Sequence, residues 1–170
     1  MFFRFITLAV CLLCSTLKAE FKFEEYIENS AKDFINDLCA EFPPAKEKEY
    51  DEAKKQLEKN FKAKKRAAGL NAARTILTHH EKHPEALISV AIFCYHANKQ
   101  IKRANYEYSR TCQYAAYFAY QSAKTNLQKA QALLLYCTDN YAPNGLEEAN
   151  KLYSIKKLRE EDSRFKDIYK

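Results

Sequence analysis

Glycine is the residue that most narrows what this chain can fold into. Its 170 residues include only two, Gly69 and Gly145. Two-residue β-hairpins prefer Gly because their turns need φ > 0. Phosphate-cradling loops and strained nucleophile turns are also built on it. A chain this poor in glycine has little from which to make any of these, and the spacing of its apolar residues points to helices instead.

From Phe23 the apolar positions Tyr26, Ile27, Ala31, Phe34, Ile35, Leu38, Cys39 and Phe42 recur every three or four residues, ending at Pro43-Pro44. Residues 46–67 form a second helix with a narrow stripe, Tyr50, Ala53, Leu57 and Phe61, and a strongly basic end. Gly69 and Asn71 are read as its interruption, before a short helix carried by Ala72, Ala73, Ile76 and Leu77. Leu87 to Tyr95 alternates as a strand would, but Pro84-Glu85 is a helix opening and no partner strand lies nearby. Lys102 to Ala123 is predicted as one long helix. Thr125 and Gln128 form a capping box opening the next, and Pro143-Asn144-Gly145 marks a turn before the last. The expected fold is all-α: an antiparallel array of about six to seven helices, in one domain over 20–160, followed by a charged tail, 161–170, expected to fray.

The first residues read as an address. Phe2, Phe3 and Arg4 form a basic start, Phe5 to Leu17 is an apolar run of thirteen, and Lys18-Ala19 leads into polar sequence. This is the layout of a secretory signal peptide, residues 1–19, with cleavage after Ala19. A membrane-spanning helix needs about 20 apolar residues. An uncleaved anchor is the main alternative. Val10 and Leu13 precede Cys11 and Cys14, where a lipoprotein start would carry a small residue. The remaining chain carries 26 Lys and Arg against 22 Asp and Glu, a net charge of +4. The protein is therefore expected to be exported, periplasmic or extracellular.

Four cysteines follow the leader: Cys39, Cys94, Cys112 and Cys137. An exported chain can oxidise them, and none sits in a C-x-x-C. With the turn at Lys124-Thr125, Cys112 and Cys137 stand equally far from it on antiparallel helices, and therefore level. A Cys112–Cys137 disulfide is expected from this register, with Cys39–Cys94 left by elimination. The alternative is four buried thiols packing as small hydrophobes.

Tyr95 in one helix, Ala104 nine residues later, and Tyr108 four further on resemble a tetratricopeptide unit. The small-residue-to-aromatic step recurs at Ala149 and Tyr153, and in weaker form at Ala73 and Leu77. The resemblance, to a tetratricopeptide-like or Sel1-like repeat, spans at most residues 67–160 and implies a concave surface holding a protein or peptide partner. A non-repeating helical bundle is the other arrangement compatible with the pattern.

His79, His80, Glu81 and His83 are the metal candidates. The order departs from the metalloprotease motif, and His83 before Pro84 reads as an ordinary helix ending. The basic run Lys59, Lys62, Lys64, Lys65 and Arg66 is either a solvated face or a patch for an anionic partner such as a membrane or cell-wall surface. Nucleic acid is not expected for an exported chain. The block Tyr106, Tyr114, Tyr117, Phe118 and Tyr120 is read as core, alternatively as the lining of a ligand pocket. No nucleophile, base and acid are placed for catalysis, and no metal or cofactor is called for. The expectation is an exported helical interaction module, an adaptor or assembly factor in a cell-envelope complex and not an enzyme. The alternative is a disulfide-stapled helical carrier of a small apolar ligand.

Overall fold

The computed structural model describes residues 21–42, 44, 46–79, 83–101, 105–139 and 143–169. Over these the chain is all-helical, with eight α-helices and no strand. They are α1 (Glu25–Glu41), α2 (Glu47–Lys62), α3 (Arg66–Leu77), α4 (Pro84–Lys99), α5 (Tyr106–Ser122), α6 (Asn126–Asp139), α7 (Pro143–Leu152) and α8 (Ile155–Glu161). A 3₁₀ turn, Ser163–Phe165, follows α8.

Consecutive helices from α2 to α7 pack against each other, and α2, α4 and α6 also touch in turn. The hub is α4. Pro84 occupies its first turn beside Glu85, and Ile88, Val90, Ala91, Ile92 and Cys94 are all buried. The alternation at Ile88, Val90 and Ile92 is therefore that of a helix covered on almost every side. Its main neighbour is α5, whose small residues Cys112, Ala115 and Ala119 are fully buried and leave room for close approach.

α1 buries Ile27, Ala31, Ile35 and Leu38, and Phe23 just before it and Phe34 within it make ring contacts with α5 and α6. Phe23 meets Tyr117, Tyr120 and Tyr136 edge-on at centroid distances of 5.0, 5.3 and 4.7 Å. Phe34 meets Tyr114 at 5.0 Å, with the Arg110 guanidinium over the Phe34 ring. Such edge-to-face pairs add to the burial of the rings themselves.

Neither glycine makes a turn. Gly69 lies inside α3 and Gly145 inside α7, and among the described residues no glycine has positive φ. The α2–α3 break falls instead at Lys64, at φ 55°. Pro143-Asn144-Gly145 is the first turn of α7, in keeping with proline's preset φ at a helix start. Both glycines serve close approach: a Cβ at 69 would fall 2.1 Å from Phe93 Cζ, and one at 145 would fall 2.8 Å from Cys137 Sγ.

The last helix divides. Ser154 caps α8 by accepting from the Lys157 amide, which gives eight helices among the described residues where about six to seven were expected. The charged tail, expected to fray over 161–170, is packed onto the fold over its described residues, 161–169. Phe165 and Ile168 are fully buried, Tyr95 Oη donates to the Asp167 carbonyl at 3.0 Å, and Arg159 donates to the Ile168 carbonyl at 2.8 Å. Two apolar side chains among the tail's charges are enough to fasten it. Ala104, the centre of the repeat-like step, and residues 1–19 lie outside the described residues.

Candidate functional site

A cleft of about 500 Å³ opens between α2 and α4. Leu57 and Phe61 of α2, Ile76 of α3, and Ala86, Ile92 and Phe93 of α4 give it apolar walls. Lys54, Glu58, Lys62 and Glu85 stand at its rim, joined by Arg164 from the tail. Most rim charges are already matched. Lys62 pairs with Glu58 at 2.7 Å, Lys54 with Asp51 at 2.7 Å, and Arg164 with Asp162 at 2.6 Å. The Lys62 ammonium holds the Glu58 carboxyl below the usual carboxylate range. Glu85 accepts from Gln128 at 2.6 Å. The Gln128 side-chain oxygen accepts from the Lys124 amide and Thr125 Oγ1 accepts from the Gln128 amide, so the Thr125 half of the expected cap forms and the Gln128 half is shifted by one residue.

Tyr50 also lines the cleft. It is 1% exposed, and its hydroxyl has no hydrogen-bond partner among the described residues. Burial pushes that hydroxyl up to about 12. His83 stacks on the Tyr50 ring at 4.6 Å, His79 approaches at 5.2 Å, and Lys54 Nζ lies 4.6 Å over it. His79 and His83 are thus brought together around an aromatic ring. Among the described residues no group of three metal-ligating side chains converges, and His80 and Glu81 lie outside them.

The basic run is split by the α2–α3 turn. Lys59 and Lys62 end α2, where cations suit the helix dipole. Lys64, Lys65 and Arg66 are exposed at the opposite kind of end, the start of α3. Arg66 donates to the Gln100 carbonyl at 3.3 Å.

The tyrosine block is core. Tyr114, Tyr117, Phe118 and Tyr120 are buried, roofed in part by Phe23 and Phe34, and only Tyr106 stands out in solvent at 76% exposure. It does not line the cleft.

The expected disulfides are not formed. Among the described residues no disulfide joins any cysteines: Cys94, Cys112 and Cys137 are buried thiols and Cys39 is half-buried. Level register is not sufficient, because two cysteines must also share the facing stripe. Cys137 turns its Sγ toward Gly145 of α7. Cys39 is half-buried on α1, while Cys94 sits in the hub helix.

Sequence reasoning missed the cleft. Its apolar walls come from three separate helices, and each of those residues reads as ordinary core on its own helix. The only local sign was the narrow apolar stripe of α2. Compared with known proteins, the chain matches no protein-family model, no curated protein and no solved structure. Among the described residues no helix is long and apolar enough to cross a membrane.

Proposed function

We propose that this protein is an exported helical interaction module, an adaptor or assembly factor of a cell-envelope complex, that holds an apolar segment of its partner between α2 and α4. The observation carrying this reading is the cleft itself: apolar walls with a rim of internally paired charges of both signs. Such a rim favours neither a cation nor an anion, so recognition falls to the shape of the walls and to the unmet Tyr50 hydroxyl. The folded-back tail supports it as well. On the same helix, α4, Tyr95 and His96 already hold backbone carbonyls of Asp167 and Arg164. The leader and the repeat-like steps of the sequence fit an exported array of this kind.

A photo-crosslinking residue at Ser89, which lines the cleft, tests the reading in the native envelope. One protein should be captured, and capture should fail when Ala86→Phe fills the cleft in a chain that still folds. Equal capture by the filled variant would sink the proposal.

A small-ligand carrier is the second reading, favoured by one measurement. A volume of about 500 Å³ falls within the roughly 300–1,000 Å³ of small-molecule sites. Native mass spectrometry separates the two, since only a carrier keeps a bound organic molecule through purification.

A further inference from the structure

The start of α3 is electrostatically unusual. Its N-cap, Lys65, makes no side-chain cap, and no acidic residue occupies the first turn. Lys64, Lys65 and Arg66 gather there instead. Cations at the positive end of a helix are unfavourable, and the first-turn amides are left without partners. The first helical bond is made by Gly69, to the Lys65 carbonyl at 3.0 Å, so among the described residues the amides of Arg66, Ala67 and Ala68 have no acceptor. Among the described residues neither Lys64 nor Lys65 has an acidic partner, whereas Lys62 nearby pairs with Glu58.

A recess of about 560 Å³ opens at this point, bounded by Lys64, Lys65, Arg66, Ile101, Asn105 and Tyr108. Tyr108 reaches it from α5. It is 6% exposed, and its hydroxyl is without a hydrogen-bond partner among the described residues. Burial pushes that hydroxyl above its ordinary value, and nearby Arg66 works against the push, which places the two side chains close together. The Gln100 carbonyl fixes Arg66 from the other side. The hydroxyl of a nearly buried tyrosine, three open amides and three cations thus line one recess.

We propose that this recess binds a phosphate group. A tetrahedral oxyanion offers enough acceptors for the Ala67 and Ala68 amides, the Tyr108 hydroxyl and the lysines together, and its charge reverses the unfavourable start of α3. The site lies apart from the α2–α4 cleft and stands or falls independently of the reading given to it. The phosphate can be free or carried on a lipid headgroup, and both sources present the same oxygens.

The full chain is titrated with inorganic phosphate at low ionic strength while amide NMR shifts are followed. Saturable movement of Ala67 and Ala68 is expected. Lys65→Glu should weaken binding by about tenfold or more, and Tyr108→Phe, which keeps the ring, by about three- to tenfold. A second arm uses sedimentation with phosphatidylglycerol-containing vesicles against phosphatidylcholine alone. Binding of the anionic vesicles that is lost in Lys65→Glu and competed by phosphate assigns the headgroup as the source. Phosphate binding without vesicle binding assigns the free ion. Absence of saturable shifts in the wild-type chain overturns the proposal, and so do unchanged affinities in both variants with melting curves like the parent.

Discussion

Gly69 in α3 lies directly under the ring of Phe93 in α4, so close that a Cβ at 69 would meet Phe93 Cζ at 2.1 Å and Cε2 at 2.3 Å. Mid-helix Gly→Ala normally gains about 1 kcal/mol. Here the sign should reverse, because the buried Phe93 ring tip occupies the place of the new Cβ and must be displaced toward the cleft. Gly69→Ala is expected to cost about 1–3 kcal/mol in a denaturant melt. Adding Phe93→Leu should recover part of that loss. A stabilised Gly69→Ala variant would show that the ring moves freely.

The Cys137 thiol should resist alkylation. Burial pushes it from an ordinary 9.0 up to about 12, so almost no thiolate, the reactive form, exists near neutrality. Cys39, half-buried on α1, should label first in the native protein, and Cys137 only on unfolding. Peptide mapping after timed iodoacetamide treatment decides this. Rapid native labelling of Cys137, or a linked Cys112–Cys137 peptide, would contradict the structure.

Alkali should unfold the protein earlier than its net charge suggests. Cys137, Tyr50 and Tyr136 all keep their protons to about 12 when folded, chiefly through burial, against ordinary values of 9.0 for the thiol and 10.0 for the phenols. The unfolded chain therefore releases protons that the folded chain retains. The stability contributed by these groups is full below pH 9.0 and is lost as pH rises toward about 12. Urea midpoints should fall steadily across that window. Tyr136→Phe should flatten the decline, and an identical slope in that variant would remove Tyr136 from the explanation.

The C-terminal segment should behave as part of the core. Phe165 is fully buried, so Phe165→Ala is expected to destabilise the fold by about 3–5 kcal/mol. Hydrogen exchange should show protection at Ile168, whose amide donates to the Phe165 carbonyl at 3.1 Å. Loss of residues 162–170 without any change in melting would restore the frayed tail that the charges suggest.

The all-α class and most helix positions were legible because they depend on local patterning. Apolar residues at three- and four-residue intervals in α1, Pro84-Glu85 at the start of α4, and Thr125 with Gln128 before α6 act within a turn or two of themselves. The strand-like look of Ile88, Val90 and Ile92 was overcome by the same local helix opening. The errors share one cause. Gly69 and Gly145 were read as turn residues because backbone freedom is glycine's local property. Their actual use, room for Phe93 and Cys137, belongs to another helix and leaves no mark nearby.

By itself the sequence determined that this chain forms helices, and roughly where they begin, because caps, proline and apolar periodicity operate through neighbours along the chain. Only the tertiary structure decided what those helices bring together. The register of Cys112 and Cys137 was computed from distances along the chain, but the direction of a thiol depends on rotation about the helix axis, and Cys137 turned to Gly145. Phe165 and Ile168 anchor a segment whose composition is mostly charged, because burial depends on which surface a side chain meets. The cleft walls and the recess beside Tyr108 likewise join residues far apart in sequence, and packing alone brings them within reach of one another.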